Sequence, residues 1–251
     1  SSWAAGRTAL VLVPGAYVVQ AGLPAFLELP KLDTFWSRLG HSVMFGAAAG
    51  VCAYLLAGVL WSFSRTRGRG RRIGVLAVAG LLGSLGLFGP LLLSLVTLHL
   101  VTRPSLSGLR DSPVPLLAVQ MLLLLPLAFA LLYLGERARA GRSEHAASLL
   151  TDSGAGSVRR AGGRILWHLR ARGRAAALFL LFCWGYWELV AGELLSPLTM
   201  QTAPGLLYNQ MHYGGTAQLS AMVTVFFALP LALLAGTGLF RRAYVTVKAH
   251  A

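Results

Sequence analysis

Residues 137–174 read RARAGRSEHAASLLTDSGAGSVRRAGGRILWHLRARGR, with nine arginines, no lysine and only Glu144 and Asp152 as acids. The uncharged run 112–135 precedes this stretch and the apolar segment 175–196 follows it. An excess of arginine between apolar segments marks the cytoplasmic side of a membrane protein. The stretch is too long for a simple helix–helix turn. It holds two helix-compatible parts, 144–151 and 158–174, separated by Asp152-Ser153-Gly154-Ala155-Gly156.

Working outward, the rest of the chain has the composition of a bilayer protein. It has 251 residues, 56% hydrophobic and 12% charged, where a soluble domain carries about 25% charged residues. Uncharged runs occupy 8–27, 39–64, 73–102, 112–135 and 194–240. About 20 apolar residues cross the hydrocarbon core as a helix. These runs and the interrupted segment 175–196 predict six spans, at about 8–27, 39–63, 73–100, 113–135, 175–196 and 218–240. The expected fold is therefore an all-α, polytopic transmembrane helix bundle: a single domain over 1–251 with a cytoplasmic loop at 136–174. The Ser1-Ser2 start suits a piece of a longer chain, and the first apolar run lacks the cleavage pattern of a signal peptide.

Charge sets the orientation. Arg7, the five arginines of 65–72, the nine of 137–174 and Arg241, Arg242 and Lys248 put 18 of the 22 basic residues on one side. Only Lys31, Arg38, Arg103 and Arg110 fall on the other. Both termini are thus expected in the cytoplasm, and the net charge of +14 is read as topology rather than as a nucleic-acid footprint.

Local features refine the spans. Gly46, Gly50 and Gly58 suit close helix approach in lipid, Gly89-Pro90 predicts a break in the third span, and Pro126 a kink in the fourth. Cys52 and Cys183 lie inside spans as packing residues, with no disulfide or metal spacing. The fifth span carries Glu188 and Glu193, and a carboxylate at membrane depth is costly unless it faces protein or water. Glu193 is read as solvated at the outer interface, Glu188 as lying deeper, within the bundle. His212 and Tyr213 also suit an interfacial level, and Asn209 a helix cap. His41 and His99 are isolated near span ends and read as interfacial. No phosphate-binding loop, catalytic triad or HExxH pattern occurs.

Two patterns carry a resemblance. The first is Glu144-His145-Ala146-Ala147-Ser148-Leu149-Leu150, followed by Gly154, Gly156 and the hydrophobic Ile165-Leu166-Trp167. This resembles the Glu-Ala-Ala loop of the permease subunits of type I, binding-protein-dependent ABC importers. Thr151 stands where that family carries glycine, and Gly154 follows three residues later, as an insertion of about three residues would leave it. The second is Glu188-Leu189-Val190-Ala191, Pro197, Thr202, Tyr208-Asn209 and Met211-His212-Tyr213-Gly214. It is similar to the ferric-iron and thiamine branch of those permeases, with the steps from Glu188 to Pro197 and from Pro197 to His212 held without a gap.

The resemblance implies a MetI-like permease fold in the bacterial cytoplasmic (inner) membrane, with a cytoplasmic coupling helix. It assigns ATPase coupling to Glu144, His145, Ala146, Ala147, Leu150, Gly154 and Gly156. Glu188, Thr202, Tyr208, Asn209 and His212 become translocation-path or structural polar positions. The implied partners are ABC ATPase subunits, a second permease half or homodimer partner, an extracytoplasmic substrate-binding protein and the lipid bilayer, with no nucleic acid. No cofactor is expected on this chain, and ATP is expected on the partner. The implied cargo is ferric iron or a small cationic organic molecule. A different class stays open: a six-span membrane enzyme or accessory protein using Glu188, Glu193 and His212 in acid–base chemistry. A degenerate permease scaffold, suggested by Thr151, is a third. Docking of the 144–156 segment on an ATPase discriminates among them.

Overall fold

The computed structural model describes residues 15–64, 69–138, 149–151, 156–213 and 216–249. Among them the secondary structure is helical, with no strand. The chain falls into two compact units, one from the described residues of Ser1–His41 and Gln201–Ala251, the other from those of Ser42–Met200.

In the first unit, helix α1 (15–22) leads into two 3₁₀ turns, Leu23–Ala25 and Leu29–Lys31. Pro24 and Pro30 occupy the early positions of those turns, where a missing N–H leaves no bond unmade. Helix α2 (Asp33–Ser64) follows at once. Its start is pinned by Trp36, whose Nε1–H donates to Leu29 O at 2.9 Å, and by buried Phe35, packed edge-on to Trp36. The unit is completed by α8 (Ala203–Tyr213) and α9 (Thr216–Ala249). Gly22 lets the chain lie against the backbone of α9: a Cβ there would sit 2.7 Å from Ala221 N.

The second unit holds the rest of α2, α3 (Arg69–Leu87), α4 (Pro90–Val101), a 3₁₀ turn at Ser107–Leu109, α5 (Val114–Ala138), α6 (Gly156–Tyr186) and α7 (Val190–Leu195). One core cluster joins Ala49, Ala53 and Ala57 of α2 to Leu124, Leu125 and Ala128 of α5 and Leu181 of α6. Alanine at every fourth residue keeps that face of α2 small, so its neighbours approach closely. The adjoining face does the same with glycine: a Cβ at Gly46 would lie 2.7 Å from Tyr186 N, and one at Gly50 3.2 Å from Phe182 N. Gly58, expected in the same role, has open space beside it.

Pro126 sits inside α5 and the helix continues through it. Proline has no N–H, so Leu122 O loses its usual i+4 donor. Gly86 of α3 packs at that carbonyl and against the Pro126 ring, where a side chain on residue 86 would collide with both. The position is one of the few in the unit where only glycine lets two helices meet.

Among the described residues, three helical stretches are long and apolar enough to cross a bilayer, namely Asp33–Ser64, Val114–Arg137 and Thr216–Gly236. A fourth is the pair Ile73–Leu87 and Pro90–Val101, if these two helices, bent by 103°, form one broken span. Only 22% to 39% of each uninterrupted candidate's most apolar stretch is buried. Leu55, Val59, Leu81 and Leu91 lie exposed on these helices, as lipid-facing residues do and as a water-soluble surface rarely shows over such lengths. These features are consistent with a multi-pass membrane protein.

The described residues thus hold three to four candidate spans where the sequence predicts six. The first predicted span lies partly outside the described residues, and within them the helix gives way to 3₁₀ turns at Pro24. The third is broken at Gly89-Pro90, as expected, and by a larger angle than a kink. The fifth stops at Tyr186, leaving Gly173–Tyr186 as a shorter apolar helix. The basic stretch also differs from a plain loop. Residues 136–138 belong to α5, and 156–174 are continuous with the apolar part of α6, so arginine-rich and apolar sequence share one helix.

Candidate functional site

The residues singled out by sequence fall into three groups. Of the coupling positions, Glu144, His145, Ala146, Ala147 and Gly154 lie outside the described residues. Leu150 is helical and 42% exposed. Gly156 is the first residue of α6, and its carbonyl accepts a bond from Arg160 Nε at 3.1 Å.

Glu188 lies at the α6–α7 junction. The last turn of α6 tightens, with Trp187 N–H on Cys183 O at 3.1 Å and Glu188 N–H on Gly185 O at 3.3 Å. The chain then re-enters a helix, whose first N–H groups have no partner within the helix itself. Glu188 Oε1 accepts one of them, Ala191 N–H, at 2.9 Å. A carboxylate there also complements the positive helix start. The half-buried Glu188 is therefore a cap that starts α7, a use of the side chain that its depth alone did not suggest.

Gln120 fastens the same junction from α5. It is 2% exposed, and its Nε2 lies 3.5 Å from Gly185 O. Its Oε1 is buried without a hydrogen-bond partner among the described residues. The sequence did hold a signal for it, since a lone amide in the apolar run 112–135 has to find polar company. Phe45, Leu93, Leu116, Val119, Ala191 and Leu195 form one core cluster around this region, joining α2, α4, α5 and α7.

The remaining polar positions belong to the other unit. Thr202 is 4% exposed, just before α8, and its Oγ1 has no hydrogen-bond partner among the described residues. Next to it, Gln201 O lies 3.2 Å from His41 Nδ1, so the tautomer protonated at Nδ1 ties α2 to the α8 approach. His41 had read as an isolated interfacial residue. Tyr208 and His212 lie one turn apart on α8 with ring centroids 4.6 Å apart at 73°. Both are exposed, as are Asn209, Met211 and Tyr213, and His212 stands in the last turn, where a cation is favoured. Tyr208, Asn209 and His212 therefore share one short helix with Thr202 just before it, while Glu188 is held by the start of α7 in the second unit.

Among the described residues no three His, Cys, Asp or Glu side chains gather as a metal-binding group. Comparison of the chain with protein-family models and with curated protein sequences gives no match.

Proposed function

We propose that the chain is a membrane-spanning permease subunit of a type I ABC importer, acting in the bacterial inner membrane with separate ATPase subunits. The observation that carries this reading is the gap-free register from Glu188-Leu189-Val190-Ala191 through Pro197 to Met211-His212-Tyr213-Gly214. Support comes from the arginine-rich 137–174 stretch with its Ala146-Ala147 pair, and from helices apolar enough to cross a bilayer. In this reading the chain has six spans and cytoplasmic termini. It pairs with a second copy or a second half and receives its cargo, ferric iron or a small organic cation, from an extracytoplasmic binding protein. ATP closes the partner ATPases, and the 144–156 segment transmits that motion. Glu188 then serves as a structural polar position, because its carboxylate is engaged by the start of α7.

The test is co-purification with an ABC ATPase subunit expressed together with this chain. Ala147→Asp puts a charge where a small side chain would enter a groove, and burying an unpaired charge is costly. The variant should still insert in the membrane but lose the ATPase and transport. Unchanged co-purification and transport would remove the docking role. Orientation is checked independently with a cysteine at Ser157, which should stay unlabelled by an impermeant reagent in intact cells.

A further inference from the structure

Between the C-terminal end of α4, the 102–113 loop and α7 lies a pocket of about 420 Å³. That volume falls within the range of small-molecule sites. Its apolar floor includes Val101 and Leu195, which are 6% and 4% exposed. Its lining also carries three exposed charges: Arg110, Asp111 and Glu193. No ion pair joins these three to one another or to any other described residue. Ser196 also lines it, its Oγ screened from solvent and without a hydrogen-bond partner among the described residues.

The loop is built to hold this arrangement. Successive tight turns run along it, with Leu106 N–H on Arg103 O at 3.0 Å, Leu109 N–H on Leu106 O at 2.9 Å and Ser112 N–H on Leu109 O at 3.1 Å. Ser112 Oγ–H adds a bond to Leu109 O at 2.7 Å. The backbone that presents Arg110 and Asp111 is therefore set before any ligand arrives, which lowers the ordering cost of binding.

The charge pattern selects the ligand. A simple anion would meet Arg110 but also two carboxylates, and a simple cation would meet the guanidinium. A molecule with both signs satisfies all three. We propose that this pocket binds a small zwitterion, its ammonium group between Asp111 and Glu193 and its phosphate or carboxylate oxygens on the Arg110 guanidinium. The hydrocarbon part rests on the Val101 and Leu195 floor. The headgroup of phosphatidylethanolamine and a free aminoalkyl phosphate share this chemistry. The proposal does not depend on coupling to an ATPase.

The full chain, purified in detergent, is titrated calorimetrically with glycerophosphoethanolamine and, in parallel, with glycerophosphoglycerol, which has the phosphate but no amine. Binding of the first and not the second is expected. Arg110→Ala and Glu193→Gln, both at exposed positions, should each weaken it about tenfold or more, the effect of losing a charge-assisted hydrogen bond. Native mass spectrometry with added phosphatidylethanolamine separates the two sources. A retained lipid, lost in both variants, assigns the site to the membrane, whereas binding of the soluble headgroup without retained lipid assigns it to a solute. Equal binding of the two headgroups, no binding of either, or variants with unchanged affinity and native circular dichroism would each overturn the proposal.

Discussion

At Gly89-Pro90 the chain leaves α3 and re-enters a helix bent by 103°, whereas at Trp187-Glu188-Leu189 α6 stops and α7 begins with neither proline nor glycine in the connection. The first break is written in the backbone. Gly89 has φ 85° and ψ 161°, a region that only glycine occupies readily, and Pro90 opens α4, where its missing N–H leaves nothing unmade. No side chain caps that start. The second break is held by contacts from the connection and two helices: Glu188 Oε1 on Ala191 N–H, Gln120 Nε2 at Gly185 O, and the close approach that the missing side chain at Gly46 allows where α2 meets Tyr186. A break set by local backbone chemistry survives changes around it. One assembled from distant partners depends on all of them.

Substitutions separate the two cases, read as loss of thermal stability of the purified chain in detergent. The largest effect is expected from Gly46→Val. Its Cβ would lie 2.7 Å from Tyr186 N, a backbone atom that cannot turn aside, so α2 and α6 must part. The loss should be about 3 kcal/mol, the upper part of the usual overpacking range. Gly58→Val, with open space around residue 58, is the control and should be close to neutral. If the two behave alike, the α2–α6 crossing does not hold the second break.

Gly89→Ala comes next, at about 2 kcal/mol, because a non-glycine residue is strained at that φ and ψ. The loss should appear as lower stability together with faster amide exchange at the start of α4. A neutral result would mean that this break, too, is held from outside.

Glu188→Ala removes the cap and should cost about 1 kcal/mol. Exchange at the Ala191 amide should speed up, while Glu188→Gln, which keeps an acceptor oxygen, should retain much of the protection. Unchanged exchange in the alanine variant would show that α7 starts without its cap.

The smallest effect is expected from Gln120→Leu. It removes a long hydrogen bond but also an amide oxygen buried without a partner. The two changes oppose each other, and the net should be under about 1 kcal/mol. A much larger loss would make the amide, rather than the Glu188 cap, the main fastening of the junction.

The two breaks were not equally legible. Gly89-Pro90 could be read directly, since no ordinary helix runs smoothly through that pair. The stop at Tyr186 could not, because Trp, Glu and Leu are all acceptable in helices and 175–196 looked like one interrupted span. The polar positions divide in the same way. Glu188 stood out as a carboxylate in apolar sequence, but its use as a cap required the geometry of Ala191 N–H. The Tyr208–His212 ring pair follows from residues four apart on one helix, whereas the tie from His41 to Gln201 O links residues 160 apart, and no local pattern announces it.

The sequence by itself determined the all-helical class, the apolar runs, the stretches where arginine gathers and the break at Gly89-Pro90. Each of these depends on residue chemistry that acts within a few turns of chain. Only the tertiary structure decided that Gly46 and Gly50, but not Gly58, mark a helix crossing, and that Gly86 meets the carbonyl freed by Pro126. It also decided that Glu188 starts α7 and that Arg110, Asp111 and Glu193 face one pocket. Those outcomes depend on which helices become neighbours, and close packing between distant segments fixes that choice rather than the local propensity of any one of them.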